Sequence, residues 1–145
     1  MNIFTNFFKK ITVCEKTIFI VEDNEIYAKS LQIFIQSRFP KIKEIIIFKI
    51  GETCLMELHR NPSIVIMDYF LNSKYEEADN GLEIIKRIKT QKPQTNIIVL
   101  SAQEKFDVVI EAIKQYDCNY VQKDQEAFNK VEQLIKNFNQ KKLGI

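Results

Sequence analysis

Residues 63–71 read Ser-Ile-Val-Ile-Met-Asp-Tyr-Phe-Leu, an apolar, β-branched run that carries one carboxylate, Asp68, to its end. A run this short and this apolar reads as a strand buried on both faces, which belongs in a parallel sheet covered by helices. In such sheets ligands bind beyond the carboxyl ends of the strands. Asp68 therefore sits where chemistry is done, and a carboxylate there needs a cation, a hydrogen-bonding partner or an opening to solvent.

The flanking sequence repeats the pattern. Thr17 to Val21 is a β-branched run followed at once by Glu22, Asp23 and Asn24, and Asn24 is placed to cap the next helix. That helix extends to about Arg38 with Tyr27, Leu31, Phe34 and Ile35 on one face, and Pro40 lies just past it. Glu44 to Phe48 reads as strand two, Glu52 to His59 as helix two, and Pro62 precedes strand three. The polar stretch from Asn72 to Asn80 is long for a strand-to-helix connection. Gly81 ends it, and Leu82, Ile85 and Ile88 give helix three its buried face. Asn96 to Leu100 is strand four, ending in Ser101. Phe106, Val109, Ile110 and Ile113 mark helix four. Asn119 to Gln122 is strand five, ending in Lys123, and Asp124 is placed to cap helix five, whose face is Phe128, Val131, Leu134, Ile135 and Phe138.

Five strands alternating with five helices specify an α/β fold, a doubly wound three-layer sandwich with a flavodoxin-like parallel sheet. Right-handed crossovers and this element count favour the strand order 2-1-3-4-5, which sets strands one and three side by side at the switch point. Glu22 and Asp23 then neighbour Asp68.

Composition narrows the function. The 145 residues fit one domain, residues 16–145, behind a segment 1–15 in which Ile3, Phe4, Phe7, Phe8 and Ile11 recur at helical spacing. That segment reads as a short helix that packs on the domain or frays, or as a docking element for a partner, a second copy or a membrane surface. With 21 basic against 19 acidic residues, the net charge of +2 makes no case for direct nucleic-acid binding. Cys14, Cys54 and Cys118 are too few and too widely spaced for a disulfide framework or a zinc site, so a reducing, cytoplasmic setting is expected. No apolar stretch is long enough to span a bilayer, and no secretory signal is recognisable.

At one edge of the expected sheet collect Glu22, Asp23, Asp68, Ser101 and Lys123. Three carboxylates so close do not all stay ionised without compensation. Oxygen ligands without His or Cys select magnesium, which takes one or two carboxylates, keeps waters and reserves a place for a phosphate oxygen. Lys123 is a point-charge donor for a phosphoryl oxygen and Ser101 offers a hydroxyl. A carboxylate beside magnesium, an ammonium and a hydroxyl is equipped to attack phosphorus and carry an acyl phosphate.

From about Lys16 to Asn139 the chain resembles the receiver domain of two-component response regulators. The resemblance rests on Val-Glu-Asp-Asn at 21–24, Ile-Met-Asp at 66–68, Asn-Gly-Leu-Glu at 80–83, Leu-Ser-Ala at 100–102 and Tyr-Val-Gln-Lys at 120–123. It implies that Asp68 accepts a phosphoryl group from a phosphohistidine on a sensor histidine kinase or a phosphotransfer protein. It implies a Mg2+ site of Asp23, Asp68 and the Phe70 main-chain carbonyl, with Glu22 acting directly or through water. Ser101 and Lys123 would hold phosphoryl oxygens, and small Ala102 would leave them room. It also implies a switch: Ser101 is drawn inward, Tyr120 follows, and the face of helix four, strand five and helix five changes for a downstream protein. A homodimer is compatible with this reading. Because the chain ends after helix five, a stand-alone regulator is expected.

The sequence departs from the family where Asp124 replaces the proline that usually follows the lysine, so a trans bond is expected there, the cis form costing about 3 to 4 kcal/mol without proline. The loop 72–80 is long for the family, and bulky Phe70 stands where it would slow water's access to an acyl phosphate. Read singly, the same residues have plainer roles: Ser101 with Glu104 fits a capping box, Glu22 and Asp23 suit a helix start, Tyr120 suits the core, and His59 reads as a surface residue. A non-phosphorylated pseudo-receiver acting as an interaction module shares the pattern. A phosphatase of the haloacid dehalogenase type wants a second Asp where Phe70 stands, and a flavin carrier wants hydroxyls where Glu22 and Asp23 would repel a phosphate.

Overall fold

The computed structural model describes residues 16–69, 81–102, 110 and 113–142. Its five parallel strands are β1 (Thr17–Val21), β2 (Glu44–Phe48), β3 (Ile64–Asp68), β4 (Asn96–Ser101) and β5 (Asn119–Gln122), hydrogen-bonded in the order β2-β1-β3-β4-β5. The helices are α1 (Glu25–Arg38), α2 (Gly51–Met56), α3 (Gly81–Gln91), α4, marked by helical residues 110 and 113–115, and α5 (Ala127–Lys142).

Alternation along the strands builds two cores. Phe19, Val21, Val65, Met67, Ile97 and Val99 point to one side of the sheet, where Cys54, Ile84, Ile85, Ile88 and Ile113 cover them. Ile18, Ile20, Ile64, Ile66, Ile98, Leu100 and Val121 point to the other, under Ala28, Leu31 and Ile35 of α1 and Val131 and Ile135 of α5. Because β1 and β3 meet helices on both faces, Ile18–Val21 and Ile64–Met67 are wholly apolar, and the one polar residue before them in these strands, Thr17 at the start of β1, donates its hydroxyl to Glu44. That is why the carboxylates begin where the strands stop.

Two details differ from the sequence expectation. Helix two does not run from Glu52 to His59: α2 starts at Gly51 and ends at Met56, and a separate 3-10 turn spans Leu58–Arg60. Glu57 leaves helical geometry at φ −105°, ψ 8°, and the chain leaves the turn through Asn61 in the left-handed region at φ 55°. An Arg60–Glu57 hydrogen bond of 2.8 Å ties the turn. In α3 the fully buried residue of the first turn is Ile84, with Leu82 only half-buried. No described peptide bond is cis, so Lys123–Asp124 is trans as expected. The N-terminal segment, Phe70, the loop 72–80, Glu104, Phe106 and Val109 lie outside the described residues.

Gly81 sets one close approach that matters for the site. A Cβ on it would fall 2.7 Å from the Tyr69 carbonyl oxygen and 3.0 Å from the Tyr69 ring. Only glycine lets the start of α3 lie against the residue that follows Asp68.

Candidate functional site

Register brings the candidate residues to one sheet edge. Val21 pairs with Met67, Asp68 with Leu100, and Ser101 with Gln122, so the next residues, Glu22 and Lys123, converge beside Asp68. Backbone bonds fix the chain ends: the Glu22 amide donates to the Phe48 carbonyl at 2.9 Å, Tyr69 to Leu100 at 2.9 Å, and Lys123 to Ser101 at 2.8 Å. Asn24 caps α1, its Oδ1 accepting from the Tyr27 amide at 3.0 Å, while its own amide donates to Glu22 Oε2 at 3.3 Å. The cap thus starts the helix and orients a site carboxylate.

One carboxylate oxygen each from Glu22, Asp23 and Asp68 lies within 4.8 Å of the other two. Glu22 is 1% exposed and Asp23 is exposed, so the cluster opens to solvent on one side. Lys123 closes another side, its ammonium donating to Glu22 Oε1 and, at 3.0 Å, to Asp68 Oδ2. With all three carboxylates ionised against one ammonium, the site would carry two net negative charges at the ends of buried strands. An oxygen-only donor set carrying that charge fits a hard divalent cation.

Titration reflects the crowding. Burial pushes the Glu22 carboxyl up to about 7; the Lys123 hydrogen bond pulls against it, and the Asp68 charge adds to the rise. Burial works to lower Lys123, yet hydrogen bonds and charges from Glu22 and Asp68 outweigh it and hold the ammonium above the ordinary lysine range. The ammonium is secure, and the buried Glu22 carboxylate is the group whose charge is costly.

Of the remaining candidates, Ser101 is 2% exposed at the end of β4, Ala102 after it is exposed, and Tyr120 is half-buried against the core on the α3 side. His59 is exposed, with its Nε2 3.8 Å from Glu57. Asp124 Oδ1 accepts from the Glu126 amide at 2.8 Å, so it caps the turn that leads into α5, which begins at Ala127.

The sequence reading missed Tyr27. Helical spacing assigns it to the core stripe of α1, but the Lys123 ammonium lies 4.5 Å from the centre of its ring. Burial holds its phenol above the ordinary range; the Lys123 charge pulls the other way, while Glu22 and Asp68 add to the rise. The available signal was position, since Tyr27 stands in the first turn after the acidic pair.

The response regulator receiver domain family matches residues 18–139. The chain belongs to that family. Receiver domains are phosphoacceptor signalling modules that work between histidine kinases and downstream effectors, and are not enzymes in the ordinary sense. The response regulator DrrB of Thermotoga maritima, an OmpR/PhoB homologue, superposes with a TM-score of 0.72 at 21% identity over 89% of this chain, which spans 54% of that longer protein. The N-terminal domain of a Wolinella succinogenes protein gives 0.73 at 24% identity, covering 89% of this chain and 98% of its own. A DNA-binding response regulator of the LuxR family from Staphylococcus aureus gives 0.72 at 17%, covering 86% and 98%. At these identities the likeness establishes the receiver fold alone. A search of curated proteins found no match. Among the described residues, no helix of this receiver is long and apolar enough to cross a membrane.

Proposed function

We propose that this receiver takes a phosphoryl group from a phosphohistidine onto Asp68 and relays that event to a partner protein. The observation that carries the reading is the convergence of Asp68 with Glu22, Asp23 and the Lys123 ammonium at the switch point of a receiver sheet. Glu22, Asp23 and Asp68 would hold Mg2+ together with the Phe70 carbonyl, Glu22 directly or through water. When bound, the ion would offset the charge gathered as a phosphate approaches an acidic pocket.

The chain's own residues do the rest. An Asp68 oxygen attacks phosphorus as the phosphorus–nitrogen bond of the donor breaks, and the bonding pair leaves with the imidazole. The Lys123 ammonium exchanges part of its hydrogen bonding with Glu22 for a phosphoryl oxygen, while the Ser101 hydroxyl donates to another. Ala102, with only a methyl group, would leave the phosphoryl oxygens room, and the bulk of Phe70, two residues past Asp68 in sequence, would slow water's attack on the acyl phosphate. Phosphorylation adds roughly one to two negative charges where Lys123 and Ser101 face them. Drawing Ser101 inward at the end of β4 would free space for Tyr120 on the adjacent β5. The surface of α4, β5 and α5 would change with it, shifting population between two arrangements.

Incubation with Mg2+ and acetyl phosphate, read by intact mass, tests the reading. Wild type should gain one phosphoryl group that is lost in Asp68→Asn and in the presence of a chelator. No gain in wild type would favour the pseudo-receiver alternative.

A further inference from the structure

Tyr27 is not among the residues that the proposed phosphoryl site uses, yet it touches that site's cation. Its ring centre lies 4.5 Å from Lys123 Nζ, and Phe128 of α5 packs against the same ring, with centroids 5.5 Å apart and planes at 74°. Phe128 in turn packs on Phe34 at 5.3 Å. The Tyr27 hydroxyl is buried and finds no hydrogen-bond partner among the described residues. A tyrosine whose hydroxyl makes no bond contributes its ring.

We infer that Tyr27 is a positioning residue: its ring, clamped between α1 and α5, holds the Lys123 ammonium at the end of β5 in reach of Asp68. A lysine on a four-carbon stem is otherwise free to swing toward solvent. Glu22 and Asp68 take two of the ammonium's three donors. A ring face attracts the ammonium through its quadrupole without needing an N–H aimed at an oxygen. The ring therefore restrains Lys123 without occupying any of the donors that an incoming phosphoryl oxygen would need. This role rests on the phosphoacceptor reading of Asp68, whereas the placement of the ammonium over the ring does not.

The test has two arms. In the first, the Lys123 ε-methylene signals are recorded in metal-free protein carrying labelled lysine. Ring current should displace them upfield in wild type and in Tyr27→Phe, and the displacement should vanish in Tyr27→Leu. In the second, the rate of Asp68 phosphorylation by acetyl phosphate is measured. Tyr27→Leu should slow it by about three- to tenfold, the range a partly desolvated cation–ring contact supports. Tyr27→Phe should restore the rate, and Tyr27→Leu should add no loss in a Lys123→Met background. If Tyr27→Leu does not fold, Tyr27→Met serves the same purpose. An unchanged Lys123 spectrum in the ring-less variant overturns the inference, as does an equal slowing with and without Lys123. A wild type that takes no phosphoryl group sinks the phosphoacceptor reading instead and leaves the first arm to decide whether the ring holds the ammonium.

Discussion

Removing the charge of Glu22 should change how the metal-free protein responds to pH. Glu22 is 1% exposed and its carboxyl is pushed from 4.5 to about 7 by burial, against the pull of Lys123. Its folded value lies above its unfolded one, so the protonated form favours the fold. That contribution is whole below pH 4.5 and is lost as pH rises through about 7. A displacement of this size corresponds to about 3 kcal/mol in all, most of which falls between pH 5 and pH 8. For a domain of this length that is roughly 10 °C in Tm. Thermal unfolding in a chelator at pH 5 and pH 8 should show this loss in wild type, while Glu22→Gln, which cannot ionise, should lose that much less over the same interval. Equal losses in the two proteins would refute the argument, because the burial of an ionised Glu22 would then carry no cost.

The same carboxyl predicts a proton count. Binding Mg2+ needs ionised ligands, so at pH 7, where Glu22 is about half protonated, binding should release about half a proton, and at pH 8.5 almost none; calorimetry in two buffers of different ionisation enthalpy measures this. Lys123→Met removes the donor to Asp68 and should slow phosphorylation by acetyl phosphate by about a hundredfold, with the mass-resolved time course as the check. Gly81→Ala sets a methyl group 2.7 Å from the Tyr69 carbonyl and should cost about 1–3 kcal/mol in denaturant unfolding. Gly51→Ala sets a methyl group 2.6 Å from Cγ1 of the buried, β-branched Ile84 and should cost a comparable amount.

The fold could be read from the chain because the middles of β1, β3 and β4 are buried on both faces and wholly apolar, so the polar residues that follow, Glu22, Asp68 and Ser101, mark where they end. Topology then did what no single motif could, bringing Glu22, Asp23 and Asp68 within one ligand shell through the adjacency of β1 and β3. Other features were hidden for physical reasons. The break after Met56 depends on backbone angles at Glu57 and a left-handed Asn61, which no periodicity announces. Tyr27 satisfies the helical spacing of a core residue while its ring faces a cation, and spacing does not distinguish a ring against carbon from a ring against an ammonium. Gly81 shows the opposite case: it stood in a motif, but the reason for a glycine there, the nearness of the Tyr69 carbonyl, exists only in three dimensions.

In the proposed function Asp68 carries the phosphoryl group. Borohydride cleaves an aspartyl phosphate reductively to homoserine, so treating the phosphorylated protein and mapping its peptides identifies the acceptor directly. With Mg2+ and acetyl phosphate, homoserine should appear at position 68 and should be absent when a chelator is present. Homoserine at position 23, or at no position, would contradict the account.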